Sequence, residues 1–568
     1  MRHSRISRAT SGALSLLLAV LATLAASEVR AIVIEWDNDA GDFNYNNSQN
    51  WDGNIIPLGA FNEAALIGNG DAVFLNSSPA GPAGLEISNG AFEVQSSGSL
   101  AVVQGASEPG NVVVGTNSAL TVRSGGSLTV DGSGLLDGNT RLVGPTATFS
   151  ASSFTLGDSH TLVAEITDPN THSALSTTGE ASLGGSLLLD FRGVTFTASE
   201  GDSWSVVDAG SEVNSFSSTS SVGLPLGMGI TVAGGNGQPV SATISNQLVL
   251  SVNVNTGATS IDNRSATTSE VIKGYSINAA TSTLNPNGWN SFQDNGQAGW
   301  EEANPGNKHL SELNLTSSRN ITAPMSIPLG TAYVPSNQFG VISDPVNFEY
   351  HLASGETRAG AVNYVGYTLV LQVDPSDGQA QIINPTGFDV ELKGYGITSG
   401  SGSLDTATWT PLAGSDADWE TANPASNHVA ELNLTSSLGI TKLEASSPIA
   451  LGAPFDFDKV GAKRDLVFEF HLDGVDGDFD EDGDVDGSDF SAWQRRESPG
   501  LGNASDLMAW DTNYGGTSPG GTFTGIVEYV SLAGPLGAVA AVPEPSAVIL
   551  LLWGVGWAVC LQSRPITK

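Results

Sequence analysis

Residues 119–131 read ALTVRSGGSLTVD. Two short runs, each alternating apolar and polar residues with period two, flank a Ser-Gly-Gly turn. That alternation places Leu120, Val122, Leu128 and Val130 on one face of extended chain and the intervening threonines on the other. The same text continues outward, as GLEIS at 84–88, AFEVQ at 91–95 and SLAVV at 99–103. Strands this short and closely spaced, with turn residues between them and few charges, predict stacked rungs of a parallel β-helix over residues 32–246. A rung cannot bury its apolar face alone, so its neighbours must cover it. One or two β-sandwiches are the alternative for the same text. Trp36 and Trp51 open the region and are expected to cap its first rung rather than to form a platform for a ligand.

The next part of the chain is duplicated. KGYSI at 273–277 returns as KGYGI at 393–397, and ELNLTSS at 312–318 returns unchanged at 431–437. Trp289, Trp300 and His309 return as Trp409, Trp419 and His428, and FEYHL at 348–352 returns as FEFHL at 468–472. The offset stays near 120 residues, long enough for an independent domain. Alternating strands between Asn, Gly and Pro turns predict two tandem β-sandwiches, at 247–366 and at 367–472 plus 522–532. In the first copy, 348–352 and GAVNYV at 360–365 read as a closing hairpin. In the second copy the matching GIVEYV comes only at 525–530, after residues 473–521. Those residues therefore read as an insert in the last hairpin loop, where a compact insert costs little closure entropy.

The insert contains DGDFDEDGDVDGSD at 476–489. A twelve-residue loop started at Asp478 puts Asp478, Asp480 and Asp482 at positions 1, 3 and 5 and Gly483 at the sharp turn. Asp484, Asp486 and Asp489 fall at positions 7, 9 and 12. This is the EF-hand pattern for Ca2+, with Asp in place of Glu at the last position. A solvated acidic linker is the competing reading. Residues 488–493 (SDFSAW) are echoed by 505–510 (SDLMAW) and then Tyr514, at helical spacing, so two short amphipathic helices follow the loop.

A calcium loop feeding a short helix, then a second such helix, resembles the type I dockerin module over about residues 474–515. The resemblance implies docking onto a cohesin. It departs from the family's two loops. The second loop would begin at Arg495 and contain Arg496, Glu497 and Pro499, so one calcium site is expected. The Gly-rich rungs after the tryptophan pair resemble autotransporter-like passenger repeats of bacterial surface proteins.

Residues 1–31 carry Arg2, Arg5 and Arg8, then an apolar run, then Val29-Arg30-Ala31, which reads as a secretory signal peptide. Residues 542–568 begin Val-Pro-Glu-Pro-Ser, continue with an apolar run at 547–561 and end with Arg564 and Lys568. This resembles the PEP-CTERM sorting signal, which implies transient membrane anchoring and processing by an exosortase-type enzyme. An ordinary C-terminal anchor helix is the alternative. Export to the cell surface or extracellular matrix is expected either way. With 21 basic against 59 acidic residues the chain would be repelled by nucleic acid. The lone cysteine, Cys560, falls in the tail, so no disulfide is expected in the mature protein.

No catalytic residue is expected. His309/Glu312, His428/Glu431, Glu349/His351 and Glu469/His471 could serve acid–base chemistry or hold a metal, but both copies carry them in the same frame, as a structural pattern would. Trp289, Trp300, Trp409 and Trp419 could stack on sugar rings, and core packing is the expectation weighed against that. The leading expectation is a non-enzymatic, calcium-stabilised surface or matrix protein. The alternatives are a binding module for polysaccharide or a cohesin-like partner, and a β-helical polysaccharide-degrading enzyme.

Overall fold

In the computed structural model, residues 31–532 are described except for 194–195, 235–237, 336–338, 343, 387–389, 434–440, 444–447, 460, 473–475, 481–483, 499 and 517–519. The signal and sorting segments and Asp482 lie outside the described residues. The described chain is all-β but for short 3-10 turns and two helices, Gly487–Arg495 and Ala504–Asn513.

The opening text forms strands Ser118–Val122 and Ser127–Val130, with Leu120, Val122, Leu128 and Val130 buried. Gly125 makes the turn between them at φ +87°, a conformation that favours glycine. Three parallel ladders run through the region. One joins Ile32–Glu35, Glu63–Ile67, Gly84–Ile87, Val112–Val114, Ser133–Leu136 and Ser153–Leu156. The second runs from Ala72–Leu75 to Ser218–Val222, and the third joins Ser99–Val102, Ser127–Val130, Thr148–Ala151 and Leu175–Ser182. From Ser118 onward the chain visits the second, third and first ladders in turn. Register stacks like on like: Leu100, Leu128, Phe149, Leu175 and Val207 form one buried column. Where Phe154 fills the interior, its stacked neighbour is Gly134, and a Cβ there would lie 2.6 Å from the Phe154 ring.

The end of this region differs from uniform parallel rungs. Ser203–Val213 pairs parallel with Leu175–Ser182 but antiparallel with Val240–Asn246, which pairs antiparallel with Met228–Ala233. A closing antiparallel pair covers a ladder edge that would otherwise be open. At the other end Trp36 and Trp51 meet edge to face at 5.1 Å, and buried Trp51 donates to the Tyr45 carbonyl at 2.9 Å. Both rings are core.

Each tandem unit has a four-stranded and a six-stranded sheet sharing one core. The closing hairpin differs from the expected one. Val346–Leu352 pairs with Thr357–Ala359, whereas Ala361–Val365 crosses to the other sheet and runs parallel to Val249–Asn253. In the second unit Leu466–Leu472 pairs with Gly521–Thr524, and Ile526–Tyr529 runs parallel to Val370–Val373. Glycine permits both crossings. A Cβ at Gly360 would sit 2.1 Å from the Phe348 ring, and one at Gly525 2.2 Å from the Phe468 ring. The matching tyrosines then lock the crossing: Tyr364 and Tyr529 accept the backbone N–H of Val346 and Leu466.

Candidate metal centre

Leu472 is paired with Gly521, so residues 473–520 leave and re-enter the second unit at adjacent points of one hairpin. The acidic loop leads into the helix Gly487–Arg495. Asp486 caps that helix, its carboxylate accepting from Ser488 N–H at 2.6 Å. Asp489 completes a reciprocal capping box, its Oδ2 accepting from Asp486 N–H at 2.7 Å. Its Oδ1 accepts from the backbone N–H of Phe479 at 2.6 Å and of Asp480 at 3.2 Å. Asp489 is fully buried. The side chain that the EF-hand pattern places at position 12 thus also ties the start of the loop to its end.

Around Asp489 the other carboxylates converge. Ligand atoms of Asp478, Asp480 and Asp489 lie within 4.8 Å of one another, and so do those of Asp484, Asp486 and Asp489. Of the six aspartates expected from the sequence, five fall in these two groups, which share Asp489, and Asp482 lies outside the described residues. An oxygen-only, multiply anionic donor set suits a hard divalent cation such as Ca2+ and does not suit soft-ligand metals. A carboxylate accepts at about four lone-pair positions, so Asp489 can keep its amide bonds and still face a cation.

Several contacts that hold the loop were not anticipated from the sequence. Val485, between two of the acids, is buried. Its N–H donates to the Gly516 carbonyl at 3.0 Å, and its carbonyl accepts from Gly515 N–H at 2.8 Å. The Trp510 indole donates to the Asp486 carbonyl at 2.6 Å, and Asn513 Nδ2 donates to the Asp476 carbonyl at 2.7 Å. Phe490 packs on Trp493 and Trp510, at 5.5 and 4.9 Å between centroids. The periodicity of 488–493 and 505–510 announced the helices, but nothing local announced the backbone pairing of Val485. In the second half, Asp506 accepts from Gly500 N–H at 2.8 Å, a local loop closure. Among the described residues no acid cluster gathers around it.

The other candidates fall into structural places. Trp289, Trp300, Trp409 and Trp419 are buried in the two unit cores, the place that core packing rather than sugar stacking assigns them. Trp409 donates to Tyr395 Oη at 3.2 Å. Glu312 is buried and accepts from Tyr275 Oη, Phe292 N–H and Gln293 N–H at 2.7, 2.7 and 2.8 Å. Burial pushes its carboxyl above the usual range. Glu431 repeats the arrangement with Tyr395, Leu412 N–H and Ala413 N–H. His309 is held by Asn278 and Ser311, at 2.7 and 2.9 Å, away from Glu312. His351 and His471 bond Thr357 and Thr522, at 2.8 and 3.2 Å.

No family model and no curated protein matches the chain. One solved structure, described as a membrane-anchored protein of Corynebacterium diphtheriae, aligns over 56% of this chain and 97% of that one, with 10% identity and a TM-score of 0.12. A likeness that low carries no argument about fold or role. No helix among the described residues is long and apolar enough to cross a membrane.

Proposed function

We propose that this chain is an exported bacterial cell-surface or extracellular-matrix protein with a structural or adhesive role and no catalysis. In this reading residues 32–246 are a parallel β-helix, the duplicated units are β-sandwiches, and a dockerin-like module is inserted into the last hairpin. One Ca2+ is held by Asp478, Asp480, Asp482, Asp484, Asp486 and Asp489. The observation that carries the reading is the gathering of four loop carboxylates, as two pairs, around buried Asp489, within a segment whose ends meet at the Leu472–Gly521 pair. Like charges brought this close repel one another, and a divalent cation relieves that repulsion. The cation then holds the insert's ends together and so stabilises the host unit.

Calorimetric titration with Ca2+ tests this on the full chain and on Asp482→Ala. One site per chain, lost in the variant, is expected. Two sites of equal affinity, or none, refute it. The proposed PEP-CTERM tail, with anchoring through 547–561, is tested by whether an exosortase-bearing host shortens the C-terminus.

A second reading, docking to a cohesin-like protein or a polysaccharide, draws on Leu501, Met508 and Tyr514, which the module exposes at 70%, 69% and 62%. Glycan-array binding without reducing-sugar release would favour it, and sugar release would favour an enzyme.

A further inference from the structure

The second tandem unit does not simply follow the first. Just before Leu466–Leu472, Lys463 and Arg464 lie against the far end of the N-terminal ladders, some 270 residues away in sequence. Lys463 forms an isolated antiparallel bridge with Gly193, and Arg464 N–H donates to the Arg192 carbonyl at 2.7 Å. Lys463 Nζ sits 2.8 Å from Glu165, which also pairs with Arg141. Fully buried Asp190 joins the same group, 3.3 Å from Arg141 and 2.9 Å from Arg192. Arg464 Nη2 donates to the carbonyls of Phe191, Gly193 and Phe196, at 3.0, 3.4 and 3.2 Å.

We infer that the ladder end is a docking site for an extended Lys-Arg dipeptide, occupied by residues 463–464 of the same chain, which latches the second tandem unit onto the ladders. The site offers a different group to each side chain. Glu165 meets the ammonium, and three convergent carbonyls meet the guanidinium. Backbone bonds fix the strand between them. A buried cation is costly to leave without acceptors, so removing either side of this contact leaves uncompensated polar groups. Burial holds the Arg464 guanidinium below its usual pKa range, and its acceptors here are neutral carbonyls.

The latch makes a closed circuit of the chain: ladders, first unit, second unit, and back to the ladders. It ends two residues before the strand that leads into the acidic insert, so that hairpin is anchored to the ladders rather than displayed at the tip of a linear stalk. This inference is independent of calcium binding.

Gly193→Cys with Lys463→Cys, in a full chain carrying Cys560→Ser, tests it. Cα atoms across an antiparallel bridge lie about 4.5–5.5 Å apart, within disulfide range. A Cβ at Gly193 meets nothing closer than 3.9 Å. Oxidation is expected to give a disulfide within one chain, read as a reductant-reversible shift on a gel and as a linked peptide by mass spectrometry. No bond, or bonds only between chains, overturns the latch. Adding Arg464→Ala is expected to lower the yield of that bond. In the otherwise native chain, Arg464→Ala is expected to raise the radius of gyration in solution scattering. An unchanged yield and radius overturn the role of Arg464.

Discussion

Glu312→Ala should release the loop that carries Phe292 and Gln293 in the first tandem unit. In the folded chain this carboxylate satisfies three buried or half-buried donors: Tyr275 Oη and the two backbone N–H groups. Alanine removes all three acceptors at once. A buried donor left without a partner costs about 1–3 kcal/mol. Three such donors give a minimum of about 3 kcal/mol, and about 1.4 kcal/mol changes an equilibrium tenfold. Amide exchange followed by mass spectrometry should therefore show the Phe292 and Gln293 amides exchanging roughly a hundred times faster, if local opening governs them. Glu312→Gln keeps the shape and one acceptor oxygen, so its loss should be about a third as large. The second unit supplies a replicate, because Glu431→Ala should loosen Leu412 and Ala413 while leaving 292–293 protected. Equal protection in Glu312→Ala and the unmodified chain, or equal losses in the Ala and Gln variants, would refute the reasoning.

Four further outcomes are expected. His160 and His172 are held neutral by burial, with pKa values lowered to about 4 from an ordinary 6.5. The unfolded chain then binds more protons between those values, so stability is complete above pH 6.5 and falls as pH drops towards 4. For His160 the loss is about 3 kcal/mol, and His160→Gln should flatten that part of a pH–stability curve. A chain ending at Leu472 lacks Gly521–Thr524 and Ile526–Tyr529, one strand from each sheet of the second unit. It should lose that unit's melting transition and keep the first, and equal stability with a chain ending at Val530 would contradict the insertion. Gly525→Ala places a methyl 2.2 Å from the Phe468 ring and should cost about 1–3 kcal/mol in denaturant melts. Saturating Ca2+ should raise the melting temperature of the full chain, and Asp489→Ala, which also loses three backbone bonds to that side chain, should abolish the rise and lower the calcium-free value.

Strand text, duplication and the acidic loop were all legible from local pattern. Period-two alternation is a one-dimensional record of which face is buried, so Leu120 and Val122 could be assigned inward without neighbours. Equivalence between 360–365 and 525–530 was also readable, because like sequences at like positions fold alike. The pairing of those segments was not. A strand's partner depends on where the chain turns, and Gly360 and Gly525 turn it into the opposite sheet by packing closely on Phe348 and Phe468. For the same reason the buried tryptophans and Glu312 looked like candidate binding or acid–base groups until their surroundings were in view.

By itself, then, the sequence determined the β character, the repeat and the spacing of the carboxylates, since each follows from residues close together along the chain. Tertiary structure alone decided that Val485 pairs with Gly515 and Gly516, that Glu312 holds a loop, and that Lys463 and Arg464 return to the ladders. Contacts of that kind join residues tens to hundreds of positions apart. Their energies come from burial and hydrogen-bond completion at the meeting point, and no local pattern records them.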